Sequence, residues 1–284
     1  MLEELVPPTL PVVVTLGRNR DAQAWLAALP RLIDEVREAF GIRLAAPLHG
    51  GSCSWVAPCE LPDGTAAIVK IGWPHREMFG EAAALRAWDG RGAVRLLAHD
   101  PARHALLLER CSPGRPVTGH PDACRVLREL WEAAPPDGLE ELGTVTGEWA
   151  GLVEERMDRI RPPYDPGLVA EGARLLRELP ASAPRRVLLH GDCNPGNVLS
   201  HGAGWVAIDP KPMTGDPGYD PWPLLQIPGA TRAALADELG LDRDRVAAWC
   251  LARSVEAALW HAHHGDIQAG AAALIDARRC TLET

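Results

Sequence analysis

With 284 residues, of which 46% are hydrophobic and 24% charged, the chain has the composition of a folded globular protein long enough for two lobes, not of a disordered or membrane-spanning one. Its net charge of −9 disfavours nucleic acid, whose phosphates need basic patches, and suits a small cationic partner. Seven cysteines, an odd number with no CxxC pair, argue against a disulfide framework and fit a reducing cytoplasm.

Residues 1–20 read as irregular. The apolar run from Pro11 to Leu16 has neither a basic region before it nor the length of a bilayer span, so no signal peptide and no membrane segment is expected. From 21 to 40, Trp25, Leu29, Leu32, Val36 and Phe40 recur at helical spacing, with Pro30 a candidate break into two helices and Gly41 a stop. Between Ile42 and Ile71 the text changes to short strand-like pieces, RLAAPL, HGGSCSWVAPCEL and TAAIVKI, the last two joined by a PDG turn; an antiparallel sheet is predicted. Gly50, Gly51 and Ser52 suit either a loop whose amides close over phosphates or an ordinary hairpin turn. Lys70 lies near the end of the third piece. Of the 29 basic residues only Lys70 and Lys211 are lysine, so each retained lysine is informative.

Glu81 opens EAAALRAW, a strongly helix-favouring segment. AVRLLAHD and HALLLER read as two further strands, which makes a five-stranded sheet. CSPGRP then has linker composition, dividing the chain into a first lobe, 1–110, with its leading helical segment 21–40, and a mainly helical second lobe, 111–284. Residues 119–180 read as helices broken at APPDG and RPPYDPG. In GEWAGLVEERMDRIR, Trp149, Leu152, Val153, Met157 and Ile160 form an apolar face, while Glu154, Glu155 and Asp158 either line a cation site or simply face solvent. The stretch from Arg243 to Ala273 reads as helical, with Trp249, Val255 and Trp260 among its apolar positions. Glu256 interrupts that pattern, as a substrate contact or as an exposed residue. His261, His263 and His264 point different ways on one helix, with no Cys or carboxylate set at ligand spacing, so no metal site is assigned there.

The chain is organised around residues 187–211, VLLHGDCNPGNVLSHGAGWVAIDPK. Val187 to Leu189 and Trp205 to Ile208 are short apolar runs, and each delivers a carboxylate just past its end. Between them Asp192 and Asn197 stand five apart, with Pro195 and Gly196 forcing a turn rather than a helix, so both side chains can face one site. A carboxylate that orients a hydroxyl, followed by oxygen ligands for magnesium on nucleotide phosphates, is what phosphoryl transfer needs. His190, Asp192, Asn197 and Asp209 reproduce the spacing of a kinase catalytic loop and its metal-binding Asp.

The wording HGDxxPGNVL followed by IDPK resembles the aminoglycoside phosphotransferase family, and IDPKPMTGDPGYD resembles its streptomycin 6-kinase and hydroxyurea kinase branch. HGGS, the Lys70 strand, GWPH, EAAALRAWDGRGAVRLLAHD and LLLER occur in family order, so the resemblance covers nearly the whole chain. It implies an α+β, bilobal, protein-kinase-like fold and a cytoplasmic, ATP- and Mg2+-dependent kinase. Lys70, held by Glu81 with Glu77 as the runner-up, would contact the nucleotide phosphates. Gly50, Gly51 and Ser52 would cover them, and backbone groups of Glu109 to Cys111 would hold adenine. Asp192 would act as base and Asn197 and Asp209 as metal ligands. Asp216 and Asp220 would position the acceptor or bond their own turn; Lys211 would sense the transferred phosphate or sit at the surface. The branch implies a cationic aminocyclitol such as streptomycin as acceptor, and admits hydroxyurea. A small-metabolite kinase and a catalytically dead nucleotide-binding module are the other readings. Cys193 and Asn194 depart from commoner family wording and are expected not to touch the phosphate chemistry.

Overall fold

A computed structural model describes residues 5–282, with side chains described through residue 275. The chain divides into two compact units, one of residues 1–115 with 200–206, the other of 116–199 with 207–284.

In the first unit, helices α1 (Pro11–Leu16) and α2 (Gln23–Phe40) precede the sheet. Residues 11–16 are therefore helical rather than irregular, and Pro30 lies inside a continuous α2 instead of dividing it. Burial of Trp25, Leu29, Ile33 and Val36 along one face outweighs the hydrogen bond that Pro30 cannot donate. Gly41, at φ 64°, stops the helix. The sheet runs β1 (Arg43–Leu44), β2 (Ser54–Glu60), β3 (Ala66–Gly72), β5 (Ala105–Glu109), β4 (Leu96–Asp100), all neighbours antiparallel. Trp55, Ala57, Cys59, Ala67, Val69 and Ile71 share a core with α1 and α2. Side chains alternate across a strand, so Lys70, between Val69 and Ile71, leaves on the other face. Helix α3 (Glu81–Trp88) follows β3.

The predicted linker CSPGRP contains strand β6 (Pro113–Pro116), which joins β9 (Val198–His201) and β10 (Gly204–Ala207) in the order β10–β9–β6. Pairing with residues distant in sequence turns a Gly and Pro rich segment into a strand that local composition does not announce.

The second unit is built from α4 (His120–Leu130), α5 (Leu142–Ile160), α6 (Pro166–Ala181), α7 (Arg232–Leu239), α8 (Arg243–His263) and α9 (Ile267–Leu282). The stretch from Arg243 to Ala273, read as helical, is made of two helices parted at His264–Asp266, where Gly265 has φ 87°. Trp249 and Val255 are core residues, whereas Trp260 and, on α5, Leu152 are exposed. A close crossing joins α6 to α8: a Cβ on Gly172 would lie 2.5 Å from Val255. Beside the helices a small sheet places β11 (Met213–Gly215) between β7 (Glu140–Glu141) and β8 (Val187–Leu189), pairing Met213 with Leu189 and Gly215 with Val187. Its strands β8 and β11 bracket residues 190–212. No described helix is long and apolar enough to cross a membrane.

Candidate active site

In the first unit the buried ammonium of Lys70 lies 2.7 and 2.6 Å from the two carboxylate oxygens of Glu81, the first residue of α3. Two opposite charges out of water hold each other in one geometry, and removing either strands the other. Glu77 is exposed, 3.9 Å from His75 Nε2. Gly50, Gly51 and Ser52 form the exposed tip of the connection between β1 and β2, with Gly51 at φ 83°. Glu109 ends β5. Its backbone N–H donates to the Arg95 carbonyl, its carboxylate accepts the Arg95 N–H at 3.2 Å, and the other carboxylate oxygen lies 3.3 Å from His201 Nε2. Burial, with Glu109 nearby, pushes the Cys111 thiol up to about 11, so it stays protonated.

In the second unit β8 is followed by His190, which is fully buried. Its Nδ1 accepts the Asp192 backbone N–H at 3.2 Å, and its Nε2 lies 3.0 Å from the Ile208 carbonyl. That pair of partners requires a neutral ring with the proton on Nε2. Burial pulls its pKa down in the same direction, against the opposing pull of Asp220, Asp192 and Asp209. The imidazole therefore ties the Asp192 loop to the residue before Asp209. Gly191 has φ 82°, and a Cβ there would lie 1.9 Å from the Lys211 carbonyl. Only glycine lets the two segments approach so closely, with the Lys211 N–H donating to the His190 carbonyl at 2.8 Å.

Asp192 is half-buried, with Lys211 Nζ 3.3 Å from its Oδ2. Asn194 donates from Nδ2 to Asp192 Oδ1 at 3.3 Å, and its side-chain oxygen caps the turn Pro195–Asn197 through the Gly196 N–H. Asn194 thus reaches the Asp192 carboxylate; a polar residue next to a tight Pro-Gly turn was the available signal. Asn197 donates from Nδ2 to the Asp192 carbonyl at 2.9 Å, leaving its side-chain oxygen for a ligand, and its own carbonyl accepts the Ile208 N–H. Asp209 follows at φ 54°, a left-handed conformation uncommon outside glycine and tolerated by Asp. The free Asn197 oxygen and the Asp209 carboxylate are hard donors of the kind Mg2+ takes.

Asp216 and Asp220, expected either to position the acceptor or to bond their own turn, are fully buried. Asp216 accepts from its own turn at Gly218 N–H (3.0 Å), from Trp249 Nε1 (2.5 Å) and from Arg245 Nε (2.7 Å), all within the fold. Asp220 accepts the backbone N–H groups of Gly191 at 2.8 Å and His190 at 3.1 Å, with Trp131 Nε1 at 2.9 Å. Burial pushes its carboxyl up, and the three converging donors pull it back toward the charged form. Trp131 and Arg245 carry no motif signal, since their partners lie dozens of residues away. Glu256 is half-buried on α8, and Glu154 is paired to Arg177, which holds its carboxyl below the usual range.

A buried lysine–carboxylate pair on an antiparallel sheet, together with an Asp192, Asn197 and Asp209 loop braced by a neutral histidine, defines a phosphotransferase of the protein-kinase-like type. Solved structures share the fold: choline kinase from Streptococcus pneumoniae (TM-score 0.63, 15% identity, 87% of this chain and 99% of that one) and a thermostable mutant of an aminoglycoside phosphotransferase (0.60, 16%, 88% and 99%). Residues 45–265 match the aminoglycoside/hydroxyurea antibiotic resistance kinases, and the chain belongs to that family. It is 33% identical to a streptomycin 6-kinase of Streptomyces glaucescens over 95% of this chain and 93% of that protein. It is 38% identical to a hydroxyurea phosphotransferase of Kitasatospora aureofaciens over 86% of this chain and 76% of that protein. The chain is an ATP-dependent phosphotransferase.

Proposed function

We infer that the chain is a cytoplasmic resistance kinase that transfers the γ-phosphoryl group of ATP to a hydroxyl of streptomycin. The observation that carries the reading is the Asp192 loop, in which Asn197 and Lys211 both bond to Asp192 within a chain related over nearly its full length to a streptomycin 6-kinase. Asp192 orients the acceptor hydroxyl and receives its proton. Lys70, held by Glu81, binds the nucleotide phosphates; Lys211, beside Asp192, presents positive charge to the phosphoryl group in transit. Asn197 and Asp209 would hold Mg2+, which supplies charge neutralisation on the phosphates. The rate then comes from positioning and fixed charge, with little covalent chemistry left to the protein.

Higher identity to the hydroxyurea phosphotransferase supports hydroxyurea as a second acceptor reading. Both are tested by incubating the protein with Mg·ATP and each compound and weighing the products, with Asp192→Asn as control. Streptomycin heavier by one phosphoryl group, with wild type only, supports the first reading. Phosphorylated hydroxyurea alone replaces it with the second, and equal product from Asp192→Asn removes Asp192 as the base.

A further inference from the structure

The second unit holds a cation among three aromatic rings. Arg253, on α8, places its guanidinium carbon 4.5 Å from the ring centre of Tyr219, 4.8 Å from Trp222 and 5.0 Å from Trp149. The rings come from separate elements: Trp149 from α5, and Tyr219 and Trp222 from the two short turns that follow β11. Each distance is within the range where a ring face attracts a cation, and the planar, weakly hydrated guanidinium can serve several faces at once. Tyr219 is fully buried and meets Trp249 edge-on at 5.4 Å. Arg253, Trp149 and Trp222 are half-buried, so the box has a side that solvent reaches.

Tyr219 immediately precedes Asp220, whose carboxylate holds the N–H groups of His190 and Gly191. Trp222, two residues further on, donates from Nε1 to Ser254 Oγ at 3.3 Å, next to Arg253 on the same helix. Arg253 therefore grips the segment carrying Asp220 on both sides of that residue.

We propose that Arg253 is a positioning residue: it is the chain's own cation in an aromatic box, and its hold on Tyr219 and Trp222 fixes Asp220 and, through it, the backbone from which Asp192 projects. The proposal rests on the reading of Asp192 as the base. It assigns to a positive side chain held among three aromatic rings the task of keeping the Asp192 loop in register.

The test uses full-length Arg253→Ala, Arg253→Met and Arg253→Lys proteins. Ala and Met lower kcat on the order of tenfold with acceptor KM little changed, and Lys falls between them and wild type. Millimolar methylguanidinium restores kcat of Arg253→Ala, while the same concentration of sodium chloride does not. Two readouts are independent of turnover. The indole N–H NMR signals of Trp149 and Trp222 move when methylguanidinium is added to Arg253→Ala and stay fixed in wild type. The amides of His190 and Gly191 exchange hydrogen faster in Arg253→Ala, and methylguanidinium slows them again. Full activity in Arg253→Met overturns the need for a cation, and unmoved indole signals overturn the box. Unchanged exchange at His190 and Gly191 overturns the positioning role. If wild type phosphorylates neither acceptor, the acceptor reading fails alone, and the indole and exchange measurements still decide the proposal. If Arg253→Ala does not fold, exchange compared between the Met and Lys proteins decides it.

Discussion

The carboxylate of Asp220 accepts the backbone N–H of Gly191 at 2.8 Å, across 29 residues of sequence. A buried side chain from the segment after β11 thus sets the turn that exposes Asp192. Replacing it by asparagine keeps the shape but offers one acceptor oxygen and an amide group where three N–H donors converge. Asp220→Asn is expected to lose about 1–3 kcal/mol of stability for each donor left unpaired, together with most of kcat. Urea unfolding and steady-state kinetics check it; full kcat in a destabilised variant would confine Asp220 to folding.

Gly191→Ala asks an L-residue to take a left-handed conformation, at roughly 1–2 kcal/mol, and drives a methyl group into the Lys211 carbonyl. Lys211 must then move away from Asp192. The expected outcome is a protein with a lowered melting temperature whose ATP binding survives and whose turnover does not. Calorimetry with ATP, read beside kinetics, separates the two effects.

Lys211 and Asp192 are both partly exposed, so their pair adds little to stability, about 0–1 kcal/mol. If Lys211 acts on the phosphoryl group in transit, Lys211→Met lowers kcat by roughly 10- to 100-fold with unfolding unchanged. Lys211→Arg restores only part of that, because a planar fork does not fill the place of a compact ammonium. Wild-type kcat in Lys211→Met would make Lys211 a surface residue.

Lys70→Met leaves the Glu81 carboxylate buried without its counter-charge and is expected to cost about 3–5 kcal/mol. The double variant Lys70→Met, Glu81→Leu regains much of that stability without regaining activity. Denaturation and turnover measured on both proteins distinguish the structural share of the pair from its proposed role in binding ATP.

His190 carries a pH dependence. Burial depresses its pKa in the folded protein, while the unfolded chain titrates near ~6.5. Below that value the unfolded state takes up a proton that the native ring refuses. The stability present above ~6.5 is therefore lost as pH falls through it, by at most ~1.4 kcal/mol per pH unit. Unfolding free energies from pH 7.5 to 5.5 should fall more steeply in wild type than in His190→Gln. Parallel curves would show that the folded ring takes up its proton over the same pH range as the unfolded chain.

What was legible in the sequence was whatever depends on local spacing. Asp192 and Asn197 around a Pro-Gly turn, Lys70 on an alternating strand and Glu81 at a helix start are each fixed by neighbours a few residues away, and Lys70 and Glu81 do meet. Pairings between distant segments were not legible. Strand β6 exists because residues 198–201 return to it, and Arg245 meets Asp216 because α8 crosses that turn. Pro30 misled in the opposite direction: a local rule against helix lost to the burial of Leu29 and Ile33.

The preference for arginine gives the chain an unusual chemical surface. Only two side-chain amines exist. The Lys70 side chain is 9% exposed and locked to Glu81, whereas that of Lys211 is 43% exposed beside Asp192. An amine-selective reagent that would label most proteins at many places has, apart from the chain terminus, one accessible target here, beside Asp192. Acylation stoichiometry becomes a direct gauge of the site, and a bound molecule that covers Asp192 should register as protection of a single lysine.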